Sequence, residues 1–318
     1  MKRLETMENP AIKVANLNKN FGRKAVLQNL NFNVPMNSIS GFLGPNGAGK
    51  TTTLRILMGL IPLPSGEISM LGETLPGGRT QAIEQIGAVV ENPTFIETMT
   101  AFDNLHWFGS LYKPVSRERI LESISLVGLK DAADQRFGTF SSGMKQRLGV
   151  AFGILHKPRM LILDEPTSGM DPAGRVQMRD ILQRIHSEEK TTIFLSSHLL
   201  DEVQRLCDYV VIIDHGKTVK EGYVGEILSG HQENWEVRMP DECFAAATEI
   251  FKTFADEGLQ WSEGPRGFTL TMGANMSEKI NQALVKGDVR VSALIPKEAS
   301  LEETFIKLTS ENGNGGLS

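Results

Sequence analysis

Gly44-Pro45-Asn46-Gly47-Ala48-Gly49-Lys50-Thr51 fits the pattern G-x-x-x-x-G-K-[ST] and sits between an apolar run, Ile39 to Leu43, and a helical stretch predicted over residues 52–60. Strand, glycine-rich loop and helix in that order form a phosphate cradle. Glycines let successive backbone N–H groups turn toward one anion, and the helix predicted to start at Thr52 adds its dipole. Lys50 supplies a point charge for the outer phosphates, and Thr51 offers a hydroxyl to Mg²⁺. A plain structural turn is the competing reading. The Lys-Thr pair directly behind a loop of this length argues against it.

Around this cradle, 318 residues are too many for one ordinary core and suit two domains of unequal size. With 22% charged and 40% hydrophobic residues the chain has the balance of a globular protein. No run approaches the ~20 apolar residues that span a bilayer. The start, Met1-Lys2-Arg3-Leu4-Glu5-Thr6-Met7-Glu8, has no apolar signal core, so the chain is expected to stay in the cytosol. Any membrane crossing then falls to another chain. A formal charge of −5 gives no electrostatic footprint for nucleic acid, which is excluded as a first partner. Cys207 and Cys243 lack metal or redox spacing and read as packing residues in a reducing compartment.

Further phosphate chemistry lies downstream. The apolar run Met160-Leu161-Ile162-Leu163 ends in Asp164-Glu165, as a buried parallel strand delivering two carboxylates would. Asp164 can hold Mg²⁺ through water, and Glu165 can accept a proton from a water attacking a γ-phosphate. Read alone, the same residues also suit a polar strand-to-helix turn broken by Pro166. A second run, Thr192-Ile193-Phe194-Leu195, leads to Ser196-Ser197-His198 and an amphipathic stretch over residues 199–207. His198 thus stands at a strand's carboxyl end, the edge where open α/β sheets bind ligands. Between the two runs, Phe140-Ser141-Ser142-Gly143-Met144-Lys145-Gln146-Arg147 leads into a helix predicted over residues 148–156. Its N–H groups and the Ser141 hydroxyl can face a phosphate, or Ser141 or Ser142 can serve as an ordinary N-cap.

Cradle, Ser-Ser-Gly-Met-Lys-Gln-Arg loop, Leu-Asp-Glu-Pro-Thr-Ser-Gly-Met-Asp and Ser-Ser-His, in that order, resemble the ATP-binding subunit of an ABC transporter over most of residues 10–230. The resemblance implies an α/β P-loop NTPase fold with a helical signature subdomain at about residues 92–156. It implies ATP and Mg²⁺, with Phe21 stacking on adenine and Gly44 to Thr52 around the phosphates. Ser141 and Gly143 become the signature loop, Asp171 a turn residue crossing a dimer contact, and His198 a switch on the γ-phosphate. It further implies a head-to-tail homodimer in which each cradle shares one ATP with the other copy's signature loop. A separate transmembrane permease subunit would hold the pair, peripherally, at the cytoplasmic face of the membrane.

The pattern departs from the family in two places. After Ile86-Gly87-Ala88-Val89-Val90 the family usually carries a glutamine that contacts Mg²⁺ and the attacking water, and here the residue is Glu91. The substitution is similar to that of the branch exporting bacitracin and lantibiotics. Glu91 is expected to contact the metal site and signal to residues 92–103, so that Glu91→Ala lowers hydrolysis or uncouples it from transport. A silent replacement of glutamine is the other reading. The signature loop has Phe140, Ser142 and Met144 where Leu, Gly and Gln are usual, as in related exporters. Downstream, Phe102, Trp107 and Phe108 recur at helix-like spacing, some of them expected in the core. The resemblance also places the groove for a coupling helix in this region.

From Gln232 the nucleotide motifs stop. A strand over 235–239, a helix over 241–254, a hairpin through Glu263-Gly264-Pro265-Arg266-Gly267, a helix over 277–285 and a strand over 289–294 give a small ferredoxin-like α+β domain, placed at residues 231–310. A terminal helix over 300–309 and a disordered tail over 311–318 complete the expectation. The leading function is an ATPase subunit of an exporter of amphipathic drugs or antimicrobial peptides. The alternative is a non-transport ABC ATPase acting on nucleic acid or ribosomes, which calls for a coiled coil, a second cassette or a basic surface.

Overall fold

The computed structural model describes residues 9–91, 94–111, 114–229, 233–273, 276–297, 301–302 and 304–305. The chain divides into two compact units, one ending its main span at Val224 and the other running from Gly225 to Ser310. At the end of the first unit's last strand the Val224 N–H bonds the Asp208 carbonyl at 2.9 Å.

The first unit runs β1 (Ile12–Phe21), β2 (Lys24–Val34), β3 (Ile39–Leu43), α1 (Lys50–Leu57), β4 (Glu67–Met70), β5 (Glu73–Leu75), α2 (Arg79–Ile83) and β6 (Ile86–Val89). Helices α3 (Ala101–Gly109), α4 (Arg117–Leu126) and α5 (Ser142–Gly153) follow. Then come β7 (Met160–Asp164), α6 (Pro172–Glu189), β8 (Thr192–Ser197), α7 (Leu200–Leu206), β9 (Tyr209–Asp214) and β10 (Lys217–Tyr223). The main sheet has the order β10-β9-β3-β8-β7-β6, parallel throughout except for the β9/β10 pair. Its central strands β3 and β8 are buried along their whole length, which is why they read as mostly apolar runs without in–out alternation. A second, antiparallel sheet, β2-β1-β4-β5, packs on it. Phe32 of β2 meets Phe42 of β3 and Phe194 of β8 at ring separations of 5.1 and 5.9 Å, and this trio seals the two layers.

The helical region joins the sheet through a close approach: a Cβ at Gly87 of β6 would stand 1.9 Å from the Gly153 carbonyl at the end of α5. Its own core centres on Phe95, whose ring meets Phe108, Phe137 and Phe152 edge-on at 5.6, 5.2 and 6.0 Å. Phe108 is thus a packing residue, whereas Trp107 is 55% exposed. Buried Arg119 of α4 clasps the far end, donating from Nε to the Leu155 carbonyl at 3.1 Å and from Nη1 to Glu189 of α6 at 2.5 Å.

Two helices of this unit have ends that differ from expectation. Helix α1 begins at Lys50 rather than 52, fed by left-handed Gly49 (φ 110°), and ends at Leu57 rather than 60, where Gly59 turns to φ 74°. Helix α5 begins at Ser142 rather than 148, because Ser141 is the N-cap and accepts the Met144 N–H at 3.3 Å. The family-signature residues are therefore the first turn of a helix, not a loop before it.

Helix α8 (Val224–Ser229) starts on the last residue of the first unit's main span, and in the second unit it is followed by β11 (Glu233–Arg238), α9 (Phe244–Lys252), β12 (Gln260–Gly264), β13 (Gly267–Met272), α10 (Met276–Lys286) and β14 (Ala293–Lys297). The four strands form an antiparallel sheet of order β12-β13-β11-β14, over a core that includes Val237, Phe251, Leu270 and Ile280. The helix expected over 241–254 is split into a tight turn, Asp241–Cys243, and α9. The last strand starts at Ala293, not 289, because residues 288–289 close α10: Asp288 is left-handed (φ 55°) and the Val289 N–H bonds the Leu284 carbonyl at 3.0 Å. Of the expected terminal helix, Leu301, Glu302, Thr304 and Phe305 are described and helical. The N-terminal segment 1–8, Pro93 and the tail 311–318 lie outside the described residues. Both cysteines are free and buried, and burial, with Asp208 beside it, pushes the Cys207 thiol far up, so it packs rather than reacts. Among the described residues no helix is long and apolar enough to cross a membrane.

Candidate functional site

The cradle is built from the junction of β3 and α1. Gly49 takes φ 110°, and a Cβ there would stand 2.5 Å from Leu27 Cδ2, so the backbone can pass only as glycine. The turn after β9 presses on the loop from behind, with the Gly216 N–H donating to the Ala48 carbonyl at 3.0 Å. The first N–H groups of α1 have no intrahelical acceptor and face the same side, which makes an anion site. Lys50 is 5% exposed, and its Nζ donates to the Gly44 carbonyl at 2.7 Å and lies 3.3 Å from Glu165 Oε1.

Glu165 follows β7 and is the hub of the cluster. Its other oxygen, Oε2, is 2.8 Å from His198 Nδ1, beyond the end of β8. Parallel pairing of β7 and β8 sets Asp164 beside Ser196, whose hydroxyl donates to Asp164 Oδ1 at 2.5 Å and accepts the Glu165 N–H at 2.9 Å. The sequence places Ser196 in the Ser-Ser-His run without giving it a role; a polar residue at the carboxyl end of a buried, mostly apolar strand is the signal it offers. Glu165 itself has φ 46°, a left-handed backbone that costs about 1–3 kcal/mol and persists where its surroundings enforce it.

A cleft of about 880 Å³ opens over the cradle, lined by residues including Phe21, Lys24, Gln28, Lys50, Glu165 and His215. The cradle residues Pro45, Asn46, Gly47, Ala48, Gly49, Thr51 and Thr52 line it too. Phe21, at the end of β1, is 51% exposed and offers a flat face at the cleft's rim. Lys24, Gln28 and His215 are additions that no motif flagged, since they come from the antiparallel sheet and the β9–β10 turn. Thr51 and Asp164 are hard oxygen donors of the kind Mg²⁺ takes. Among the described residues no cluster of three or more acidic, His or Cys side chains could hold a metal alone. The donor set therefore fits an ion that arrives with phosphate oxygens as its remaining ligands.

Of the expected site residues, Gly44, Asp164 and His198 adjoin the cleft through Lys50, Ser196 and Glu165 without being among its described lining, and three further groups stand apart from it. Glu91, at φ 77°, pairs with Arg55 of α1; its side chain is 59% exposed and is absent from the described lining of the cleft. Ser141 is exposed, and both it and Gly143 are absent from the described lining of their own chain's cleft. Asp171 caps α6 by accepting the Gly174 N–H at 2.9 Å and is likewise outside the lining.

With this geometry, residues 27–168 match the family model described as ABC transporter. The chain is similar to the uncharacterized ABC transporter ATP-binding protein YdbJ of Bacillus subtilis (strain 168), 36% identical over 318 residues and covering 98% of this chain and 99% of that protein. It is also 36% identical over 299 residues to the bacitracin transport ATP-binding protein BcrA of Bacillus licheniformis, with 93% of this chain and 96% of that protein aligned. Among solved structures, cbiO1 from Clostridium perfringens, part of the ABC transporter complex cbiONQ, superimposes with a TM-score of 0.64 at 26% identity, covering 70% of this chain and 91% of that one.

Proposed function

The chain belongs to the ABC transporter family as one of its ATP-binding proteins, and we propose that it is the ATP-hydrolysing subunit of an exporter. It couples ATP binding and hydrolysis to export of an amphipathic drug or antimicrobial peptide through a separate membrane subunit, to which it docks at the cytoplasmic face. The likeness to a bacitracin transport protein over most of the chain supports that class of cargo. The observation that carries the ATPase reading is the run of contacts from Lys50 and Glu165, which line the cleft, to His198.

The residues divide the chemistry as follows. Phe21 stacks on the adenine, the amides from Gly47 to Thr52 bind the phosphate chain, and Lys50 meets the β- and γ-phosphates. Thr51 and Asp164 would hold Mg²⁺, which when bound offsets phosphate charge and polarises the γ-phosphoryl group. Glu165 takes a proton from water as its oxygen bonds to the γ-phosphorus and the β–γ bridging bond breaks, leaving ADP and phosphate. His198 holds Glu165 in place and faces the γ-phosphate. A carboxylate already paired with Lys50 is released for this work when the triphosphate takes over the lysine.

The cleft is closed by a second copy, whose Ser141 and Gly143 helix start meets the far side of the γ-phosphate, with Asp171 at the seam. No observation favours a non-transport ATPase acting on nucleic acid or ribosomes. Purified chain with Mg-ATP is expected to release phosphate at a rate that rises faster than linearly with protein concentration. A strictly linear dependence contradicts the dimer, and no phosphate release contradicts the ATPase.

A further inference from the structure

The turn that leaves β7 carries both ends of the proposed machine, Glu165 at its start and Asp171 at its close. Glu165 has φ 46° and Gly169 φ 73°, and for Glu165 the Cβ makes that conformation unfavourable unless neighbours impose it. Local bonds help: the Ser168 N–H reaches the Glu165 carbonyl at 3.0 Å and the Met170 N–H the Thr167 carbonyl at 3.2 Å. A local turn can still swing as a unit on its strand. What ties its middle and far end to another element converges on Glu202 of α7.

Thr167 Oγ1 donates to Glu202 Oε2 at 2.6 Å. Arg175, in the first turns of α6, sets its Nε 3.5 Å from Glu202 Oε1 and donates the same N–H to the Met170 carbonyl at 3.2 Å. The Glu202 side chain is 17% exposed, and its Oε1 is shielded from water with no hydrogen-bond partner. Burying a carboxylate with one oxygen held by charge alone is a poor way to gain stability, since an apolar side chain would avoid the desolvation. Glu202 also lies four residues beyond His198, in the first turn of α7. The contacts therefore close a frame, with residues 165–167 and 198–202 as its sides, Glu165 to His198 at 2.8 Å as one rung and Thr167 to Glu202 as the other.

We infer that Glu202 is a positioning residue for hydrolysis: through Thr167 and Arg175 it fixes the turn on the helix behind His198, so that Glu165 stays on His198 while Asp171 is held at the seam. The inference rests on the ATPase reading above. Nucleotide affinity comes from the cradle and Phe21, which Glu202 does not touch. Loss of Glu202 therefore acts on turnover and spares binding.

The test is steady-state phosphate release and fluorescent-ATP-analogue binding for wild type, Glu202→Ala, Glu202→Gln, Thr167→Val and the Thr167→Val/Glu202→Ala double variant. Glu202→Ala is expected to lower kcat about tenfold with KM and analogue affinity within about twofold of wild type. Glutamine keeps an acceptor for Thr167 and loses the charge facing Arg175, so Glu202→Gln recovers to about threefold below wild type. The double variant is no slower than Glu202→Ala, because both changes remove one shared contact. Wild-type kcat in Glu202→Ala overturns the inference, as does a loss of affinity equal to the loss of turnover, or single effects that multiply. If Glu202→Ala does not fold, Thr167→Val and Glu202→Gln decide, and wild-type kcat in both overturns it. Absence of turnover in the wild-type protein itself overturns the ATPase reading instead.

Discussion

The cradle and the Ser141–Gly143 helix start are both helix N-termini to which we assign phosphate, yet they are built in opposite ways. Lys50 is 5% exposed and tied to Gly44 and Glu165, and Gly49 has a wall against its missing Cβ. Ser141 is exposed, and a Cβ added at Gly143 meets no heavy atom within 4 Å. The first is preorganised by its own chain, and the second faces outward with room in front of it. A surface that is well capped, well supported and open to a neighbour has the form of one half of a shared site. That contrast supports the head-to-tail pairing better than either region does alone.

The contrast can be broken from either side. The largest effect is expected on the enclosed side, where Glu165→Gln keeps size and hydrogen bonding but removes the proton acceptor. Phosphate release should fall by about 10²–10⁴-fold, while ATP-analogue binding is retained. A variant that turns over normally removes Glu165 from the role of base. Next comes the open side, where Gly143→Asp fits its own chain and sets a negative charge against a nucleotide held by another. Turnover is expected to fall about 10²-fold with unchanged analogue binding to the isolated chain. Equal loss of binding would mean that Gly143 serves the cleft of its own subunit. The smallest effect is expected at Glu91, whose partner Arg55 is also well exposed. Such a pair contributes about 0–1 kcal/mol, so Glu91→Gln should leave thermal stability nearly unchanged and turnover within about threefold. A larger loss of turnover would restore the metal contact that its place after β6 suggested.

The same contrast governs what the residues revealed in advance. The cradle, the strand ending in Asp164-Glu165 and the strand leading to His198 were legible because wholly buried parallel strands leave apolar runs, and phosphate loops need glycine at set places. The start of α5 lies earlier than its apolar run suggests: Ser141, one of the two caps the sequence offers, is the N-cap, and the residues from Ser142 to Arg147 form the first turns of the helix. The position of Glu91 after β6 suggests a metal contact, and its pairing with Arg55 is not readable from the sequence, because it depends on where α1 lies. Glu202 and Ser196 were silent, since their meaning depends on which strands and helices become neighbours. In the second unit the order of strands and helices was readable, but the last strand slipped from 289 to Ala293 because Val289 is buried as part of a helix end. An apolar residue marks burial without saying which element buries it.

Sedimentation of Glu165→Gln with saturating Mg-ATP, with and without Gly143→Asp, tests the shared site most directly. The account predicts a dimer with ATP, a monomer with ADP, and a monomer again once Gly143→Asp is added. A monomer with ATP under all conditions, or a dimer indifferent to Gly143→Asp, would contradict it.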